Sequence, residues 1–162
     1  MAEGPPEGVH VVLDPGAAFA DLPDDVRDAM LDRTTVWTSN QEEAEALCRT
    51  KTGGPSTMAE AAKRIARLLP SGAVAIVRDG PAGCAVCVDG VVTEVPGFPQ
   101  KPVDTNGAGD AHTGVLCAEI ARGADWVTAC RRANIAGAIK VTRRGPATAS
   151  TRAEIDAFEA RA

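Results

Sequence analysis

Short apolar runs alternate with helix-forming stretches along this chain. Apolar or β-branched runs bounded by turn-forming residues predict buried strands at residues 9–13, 34–38 and 73–77. Helix-forming composition predicts helices at residues 23–31, after Asn40, after Thr57, and from about Gly107, Asp125 and Thr151. Strands that alternate with helices favour an α/β fold, with a mostly parallel sheet flanked by helices.

Local capping signals mark where several of these helices begin. Asn40 is a natural N-cap, and both Thr57-Met-Ala-Glu60 and Thr151-Arg-Ala-Glu154 have the spacing of a capping box. In the helix after Thr57, one apolar stripe predicts the face that packs on the core. The stripe comprises Met58, Ala61, Ala62, Ile65, Leu68 and Leu69.

A β-hairpin is predicted from residues 84–88 and 91–95, joined by Asp89-Gly90, a dipeptide suited to positive φ. It would add antiparallel strands near one edge of the sheet. Cys84 and Cys87 form a C-x-x-C motif, but residues three apart on a strand point to opposite faces, which disfavours a redox or metal role. With no repeat or interior linker, we expect a single domain over residues 1–162.

Composition excludes several partners. The 162 residues carry a net charge of -5, only 3% are aromatic and none is Tyr, so neither a basic footprint nor a stacking platform for nucleic acid is present. The apolar runs are too short to cross a membrane. Five scattered cysteines, an odd number, indicate reduced thiols rather than a disulfide framework. We therefore expect a cytoplasmic protein.

The stretch Asp104-Thr-Asn-Gly-Ala-Gly-Asp110 carries the candidate chemistry. Its glycines let the backbone approach a ligand, and the helix that begins there directs backbone N–H groups toward an anion. Asp110, in the first helical turn, could take the proton of an attacking hydroxyl. The alternative is a loop that only begins a helix, with Asp110 favouring the helix dipole. Neither a P-loop nor a dinucleotide fingerprint is supported, since His112 stands where the latter needs a small residue.

This stretch resembles the C-terminal signature Asp-Thr-x-Gly-Ala-Gly-Asp of the ribokinase-like, or PfkB, carbohydrate kinases. Three further segments resemble that family in the same order, and the resemblance implies a partial ribokinase-like fold. They are Asp14-Pro15, Asn40-Gln-Glu-Glu43 as its Asn-x-x-Glu, and Val141-Thr-Arg-Arg-Gly145.

The resemblance implies ATP-dependent phosphoryl transfer with Asp110 as the catalytic base. The backbone N–H groups of Gly107, Ala108 and Gly109, here called the cradle, would stabilise charge on the transferred phosphoryl group. Asn40 and Glu43 would organise Mg²⁺ through its waters. Taken alone, without the resemblance, Asn40 and Glu43 are better explained as a helix cap and a solvated first-turn carboxylate. Asp104 and Asn106 would belong to a K⁺ site that some family members have.

Other residues would border the nucleotide if the resemblance holds. Arg78-Asp-Gly-Pro-Ala-Gly83 is similar to the family's Thr-x-Gly-x-x-Gly, with Arg78 in place of Thr; a solvated strand-end charge is the alternative. Asn134 would lie beside the adenine, or else on a polar helix surface. His112 is expected to be a packing or solvent-facing residue. The implied nucleotide-binding set is Thr105, Asn40, Arg78, Gly80, Gly83, Asn134 and Gly137.

The resemblance covers nearly all of this chain but only the C-terminal half of the family's fold. The half that supplies most sugar contacts and the lid has no counterpart here, so we expect little turnover from the chain alone. The strand at residues 9–13 would have an unpaired edge that favours homo-oligomers or association with a missing N-terminal half. The expected substrate is a small ribose- or fructose-like sugar. A nucleoside kinase, or a nucleotide-binding fragment without activity, is the alternative.

Overall fold

A computed structural model describes residue 6, residues 8–51 and residues 57–162. The strands of this part of the chain are β1 (Val12–Leu13), β2 (Val36–Asn40), β3 (Val74–Arg78), β4 (Gly83–Val88) and β5 (Val91–Pro96). The α-helices are α1 (Asp24–Leu31), α2 (Gln41–Lys51), α3 (Met58–Ala66), α4 (Ala108–Ile120), α5 (Trp126–Val141) and α6 (Arg152–Glu159). Short 3₁₀ helices occupy Ala17–Asp21 and Gly80–Ala82.

The five strands form one sheet in the order β1-β2-β3-β4-β5. β1 pairs with β2, and β2 with β3, in parallel. β4 and β5 are an antiparallel hairpin whose two turn residues, Asp89 and Gly90, have φ of 49° and 78°, the left-handed conformation that a tight hairpin turn requires. The predicted α/β fold with a mostly parallel sheet and an edge hairpin is therefore confirmed.

β1 is shorter than the strand predicted at residues 9–13. Its first residue, Val12, pairs with Val36, which is also the first residue of β2. The Val11 carbonyl still accepts from the Thr35 and Val36 amides, but this contact does not extend the paired strands. Val9 and Val11 are accordingly 50% and 37% exposed. An apolar run reveals the tendency to form a strand, but the length of the strand depends on a partner far along the chain.

The predicted helix caps are confirmed. Thr57 accepts a hydrogen bond from the Glu60 amide, and Thr151 and Glu154 form a complete capping box. Asp125, near the predicted start of α5, also accepts from the Thr128 amide, a cap that the sequence analysis did not specify. The stripe predicted on α3 is buried at Ala61, Ala62, Ile65 and Leu69, with Met58 and Leu68 packed beside them. The local sequence was sufficient to predict the Thr57 and Thr151 caps, because each capping partner lies within three residues of its cap.

The chain divides into two compact units, and whether they act as the single domain expected stays a prediction. The first contains the chain up to Arg78 together with Ala85–Thr93, and the second contains Asp79–Cys84 and Glu94–Ala162. The core of the first unit surrounds Trp37, which is fully buried and meets the Phe19 ring edge-on at 5.5 Å. Burying such aromatic and aliphatic side chains supplies most of the favourable free energy of folding.

The second unit combines an apolar cluster with a buried ion-pair network. Ile135 and Ile155 are buried against Phe98 and Phe158, which bring α5 and α6 together. Beside them the Arg132 guanidinium lies 3.2 Å from Glu119 and 2.7 Å from Glu159, although only 9% of the Arg132 side chain and 8% of the Glu119 side chain are exposed. Sequence analysis did not predict this network.

All five cysteines are free thiols, as expected from their number and spacing. Cys87 belongs to the core of the first unit, whereas Cys84 lies beside Cys130 and His112 in the second. The two residues of the C-x-x-C motif therefore have different neighbours, as predicted for a strand. A hydrogen bond from Cys130 lowers the pKa of Cys84, and the same contact together with burial raises that of Cys130. Within the described residues, no helix combines the length and apolar character that crossing a bilayer requires.

Candidate active site

In the first unit, the carboxyl ends of the parallel strands bring three polar residues to one edge of the sheet. Asn40 ends β2 and is the register partner of Arg78, which ends β3. Asp14 follows β1 directly. Ligand sites in open α/β sheets commonly form at this edge, because the loops that leave the strands converge there.

Asn40 and Glu43 form the first turn of α2. Asn40 Oδ1 accepts a hydrogen bond from the Glu43 amide, and Glu43 Oε2 accepts one from the Asn40 amide. Asn40 is thus the N-cap that the sequence predicted. Its exposed amide and the half-buried Glu43 carboxylate supply hard oxygen donors, which suits a Mg²⁺ ion held through its waters.

Within the described residues, no group of three or more His, Cys, Asp or Glu side chains could enclose a metal ion. At phosphate sites Mg²⁺ usually keeps several waters and uses few protein ligands, and two oxygen-bearing side chains such as Asn40 and Glu43 fit that mode of binding.

Arg78 is paired with Asp14. Its Nη2 lies 3.1 Å from Asp14 Oδ1 and 3.3 Å from Oδ2, and the Arg78 side chain is only 11% exposed. The alternative of a solvated strand-end charge is therefore wrong. Contact between Arg78 and a phosphate stays a prediction. The guanidinium would then have to interact with the phosphate and with Asp14 at the same time.

In the second unit, the start of α4 has no capping side chain. Its N-cap is Gly107, with φ of 78°, whereas side chains cap α3, α5 and α6. A Cβ atom at position 107 would lie 2.5 Å from the Pro146 carbonyl oxygen, so both the conformation and the close approach require glycine. The resulting open helix start is suited to an anion.

The Ala108 amide of the cradle is engaged within the chain. The Ala108 N–H donates to the Thr105 carbonyl at 3.2 Å, closing a turn that leads into the helix. Contact of the Ala108 N–H with a phosphate stays a prediction; in this geometry the N–H belongs to the turn. The amides of Gly107 and Gly109 flank it at the helix start.

Asp110 lies in the first turn of α4 and is exposed. In the described part of the chain, no hydrogen bond or ion pair is formed by its carboxylate. Burial in an ion pair would have removed it from consideration as a base. The residue instead has the accessibility that proton transfer from a bound hydroxyl requires.

Asp104 closes the loop in front of α4. Its Oδ1 accepts from the Asn106 amide at 3.0 Å and its Oδ2 from the Gly145 amide at 2.8 Å. These two bonds, the Gly145 bond above all, lower the pKa of Asp104. The Asp104 carbonyl is also engaged, because Lys140 Nζ donates to it at 2.9 Å.

The Asp104 carbonyl is a poor ligand for the K⁺ ion that the sequence allowed, because the Lys140 ammonium group already lies against it. The Asp104 carboxylate is used by two amides and the carbonyl by this fully buried ammonium group. A second cation at that carbonyl would meet the repulsion of Lys140.

The two predicted glycines near the hairpin differ in their surroundings. Gly80 has φ of 49° and open space where a Cβ would be, as a glycine beside a ligand would. Gly83 has φ of 104°, and a Cβ there would lie 2.2 Å from the Val95 carbonyl oxygen and 2.4 Å from the Gly97 nitrogen. Packing of backbone against backbone therefore explains Gly83, and Gly97, which sequence analysis missed, is its counterpart.

Asn134 is buried rather than on a helix surface, which corrects that alternative. Its Nδ2 donates to the carbonyls of Val95 and Pro96 at 3.0 and 3.2 Å, and its Oδ1 lies 3.1 Å from His112 Nε2. Because Nδ2 and Oδ1 of Asn134 are both engaged within the chain, the side chain offers few free hydrogen-bonding groups to adenine. Its geometry therefore gives no support to the predicted role beside the adenine. His112 is 4% exposed and is a packing residue.

Gly137 and Thr105 lie close to the cradle. A Cβ at Gly137 would be 3.8 Å from the Ala108 carbonyl oxygen, in ordinary contact, which places this part of α5 beside the start of α4. Thr105 is exposed, and its carbonyl closes the turn to Ala108. Sequence reasoning found this loop from its glycines but missed Lys140, because nothing in the local pattern marks a lysine near a helix end as buried.

A five-stranded sheet flanked by helices, with a glycine-led helix start beside an exposed aspartate, defines the class of ribokinase-like α/β proteins. The sequence profile of the pfkB family carbohydrate kinases matches residues 7–153. The chain belongs to this family.

Relatives of this chain include bifunctional proteins named HldE. The bifunctional protein HldE of Bradyrhizobium diazoefficiens is 32% identical over 117 residues, which cover 72% of this chain and 24% of that protein. The chain therefore spans about a quarter of the length of this curated relative.

Solved structures agree on the fold. The ribokinase of Thermotoga maritima superposes with a TM-score of 0.81 at 27% identity, covering 94% of this chain and 50% of the other. A Burkholderia thailandensis nucleoside kinase in complex with inosine gives 0.78 at 29% identity, covering 93% and 47%. A putative ribokinase II from E. coli in complex with ATP and Mg²⁺ gives 0.72 at 29% identity, covering 85% and 43%. The chain thus spans about half the length of these structures.

Proposed function

We propose that this chain provides the nucleotide-binding and catalytic part of an ATP- and Mg²⁺-dependent kinase that phosphorylates a hydroxyl group of a small sugar. The observation that carries the proposal is the uncapped start of α4 with the exposed Asp110 carboxylate in its first turn. Membership of the pfkB family and the relative solved with ATP and Mg²⁺ support the choice of phosphoryl donor.

In the proposed reaction, Asp110 accepts the proton of the sugar hydroxyl as its oxygen attacks the γ-phosphorus of ATP. The bond from that phosphorus to the β-γ bridging oxygen breaks, and ADP leaves with the electron pair. The Gly107 and Gly109 amides and the positive end of the α4 dipole stabilise the charge on the transferred group. Thr105, Gly80 and Gly137 are proposed to border the nucleotide.

Mg²⁺ supplies charge neutralisation on the phosphates when it is bound. We assign its waters to Asn40 and Glu43, whose oxygens lie at the carboxyl end of β2. Glu43 is bound to the Asn40 amide through Oε2 alone, and no hydrogen bond within the described residues uses Oε1. That oxygen is available for a water of the metal.

The proposed acceptor follows from the comparisons with known proteins. A sugar is favoured by the family and by the ribokinase structure. A nucleoside is the second candidate, because a nucleoside kinase solved with inosine has a similar fold at 29% identity. The third is a nucleotide-binding module without its own activity.

A partner for β1 belongs to the same proposal. β1 is at the end of the sheet, and Val9 and Val11 just before it are exposed. We propose that a second copy or an N-terminal half of the kinase covers this edge. Five free thiols are consistent with the proposed cytoplasmic location.

The test measures ATP binding and phosphoryl transfer separately. ATP binding to the 162-residue chain is titrated with and without Mg²⁺, and transfer from radiolabelled ATP is assayed against panels of sugars and nucleosides. The assays are repeated with the chain extended by the coding sequence directly upstream. Binding with transfer to a sugar supports the first proposal, transfer to a nucleoside the second, and binding without transfer in either form the third. Failure to bind ATP in either form would refute all three.

A further inference from the structure

Lys140 is a fully buried lysine whose partners are carbonyl groups. It is 0% exposed, and its Nζ donates to the Asp104 carbonyl at 2.9 Å and to the Arg143 carbonyl at 3.5 Å. Within the described residues, no carboxylate oxygen lies within ion-pair distance of this ammonium group. Lysine is almost never buried so completely unless a specific arrangement compensates its lost hydration.

The position of Lys140 on α5 accounts for part of this compensation. It lies in the last turn of the helix, where the negative end of the helix dipole and the final carbonyls favour a cation. A lysine whose ammonium group lies in water would already interact favourably with this end of the helix. Burial against the Asp104 carbonyl is a further feature that helix capping alone does not require.

Lys140 joins the two loops that meet at the cradle. Asp104 opens the loop that leads to Gly107, and Arg143 opens the loop that leads to Gly145 and Pro146. The same loops are linked again by the Asp104 carboxylate, which accepts from the Gly145 amide, and by the close approach of Gly107 to Pro146. The ammonium group therefore fixes the backbone on which the cradle depends.

Carbonyl oxygens around a cation are also how proteins hold a dehydrated monovalent metal ion. The ammonium of Lys140 has the same charge and uses the same kind of donor. Because it is covalently attached, it loses no translational freedom on binding and does not depend on the salt in solution.

We infer that the ammonium group of Lys140 is the built-in cation of the cradle, where it positions the loop of Asp104 and takes the place of a bound monovalent metal ion. The inference rests on the proposed function, because it assigns Lys140 as a positioning residue for phosphate binding at the cradle. It predicts that nucleotide binding by this chain does not depend on K⁺.

The experiment measures binding of a non-hydrolysable ATP analogue to the 162-residue chain by calorimetry. Each protein is titrated with Mg²⁺ present, once with tetramethylammonium as the only monovalent cation and once with K⁺. The variants are Lys140→Ala, which leaves the carbonyls and opens space, and Lys140→Met, which fills the space with an apolar chain. Lys101→Met, at an exposed position of the same unit, is the matched control.

We expect the wild-type chain and Lys101→Met to bind equally well with either cation. Lys140→Ala should bind about tenfold more weakly in tetramethylammonium, the loss expected for one charge-assisted interaction, and should recover in K⁺. Lys140→Met should bind weakly in both, because no metal ion can reach the carbonyls. A purely structural lysine would show no such difference between the two cations.

Several outcomes would overturn the inference without touching the proposed function. These are wild-type binding that K⁺ strengthens severalfold, or a Lys140→Ala variant that binds normally in tetramethylammonium or does not recover in K⁺. If Lys140→Ala does not fold, the inference is still overturned by wild-type binding that K⁺ strengthens, by Lys140→Met binding that K⁺ restores, or by Lys140→Met binding that equals the wild type. Wild-type protein that binds no nucleotide with either cation would refute this inference, and the proposed function is refuted with it if the upstream-extended chain binds none either.

Discussion

The side chains of Asn40 and Glu43 each accept a hydrogen bond from the backbone amide of the other residue. Asn40 Oδ1 lies 2.8 Å from the Glu43 amide, and Glu43 Oε2 lies 3.0 Å from the Asn40 amide. This is the geometry of a capping box, and it places both side chains at the carboxyl end of β2. The pair therefore has a structural role that is complete without a metal ion. A role in binding Mg²⁺ has to be separated from it by experiment.

Glu43→Gln separates the two roles. Glutamine can still accept from the Asn40 amide, so the free energy of unfolding should change little. The lost negative charge should raise the Mg²⁺ concentration needed for nucleotide binding. Glu43→Ala should show the same Mg²⁺ effect and also lose about 0.3–1.5 kcal/mol of stability, because the cap is broken. A Mg²⁺ titration of Glu43→Gln that matches the wild type would leave Glu43 as a cap only.

Gly107→Ala tests the conformation of the cradle. The added Cβ would lie 2.5 Å from the Pro146 carbonyl oxygen at a residue with φ of 78°, so we expect a loss of about 1–3 kcal/mol in urea denaturation. Nucleotide binding should weaken as well, because the helix start would have to move. The matched control is Gly114→Ala in the same helix, which meets nothing within 4 Å and should be neutral or stabilising by about 0.5–1 kcal/mol. Equal stability of the two variants would contradict this account.

Local signals predicted much of the fold and of the candidate site. The Asp89-Gly90 turn, the Thr151–Glu154 capping box and the Asn40 cap each depend on residues within three positions of one another. The glycines before Asp110 similarly predict an open helix start, since their effect is on their own backbone. These features could be inferred without knowledge of any distant contact.

The features that were missed depend on partners far along the chain. Lys140 bonds to the carbonyl of Asp104, and Asn134 bonds to Val95 at the end of the hairpin. On their own helix these residues look like an ordinary basic and an ordinary amide side chain. Their burial follows from packing between elements, which hydrophobic periodicity cannot reveal.

Arg132 should be important for stability. Its side chain is 9% exposed and is paired with Glu119, Asp156 and Glu159. Arg132→Met would leave the buried Glu119 carboxylate with Arg152 as its one remaining ion-pair partner among the described residues. We expect a loss of about 3–5 kcal/mol in the free energy of unfolding. Arg131→Met is the control, because Arg131 is 42% exposed and pairs with Glu159 alone among the described carboxylates; it should cost about 1 kcal/mol. A smaller loss for Arg132→Met than for the control would show that burial of the network does not matter.

Asp104 should make the free energy of unfolding depend on pH in the acidic range. Hydrogen bonds from the Gly145 and Asn106 amides lower the pKa of Asp104 in the folded chain, whereas in the unfolded chain it is about 3.9. The charged carboxylate therefore stabilises the fold above that value, and this contribution is lost as pH falls through the folded pKa. Asp104→Asn should be less stable than the wild type at neutral pH, and the difference should shrink as pH is lowered toward about 3. A difference that stays constant over this range would exclude the charge as its source.

Asp110 provides the sharpest test of the proposed chemistry. Its carboxylate is exposed and makes no contact within the described residues that the fold depends on, so Asp110→Asn should leave the unfolding transition unchanged. ATP binding should be preserved, because the amide groups at the helix start are backbone groups. Phosphoryl transfer by the upstream-extended chain should fall by about 10²–10⁴-fold, the range that a general base contributes. Glu94→Gln, which removes a charge from an exposed position of the same unit, should retain full transfer. If Asp110→Asn transferred phosphate as fast as this control, the proton of the hydroxyl would have to go to another group, and Asp110 would be left with only its favourable interaction with the helix dipole.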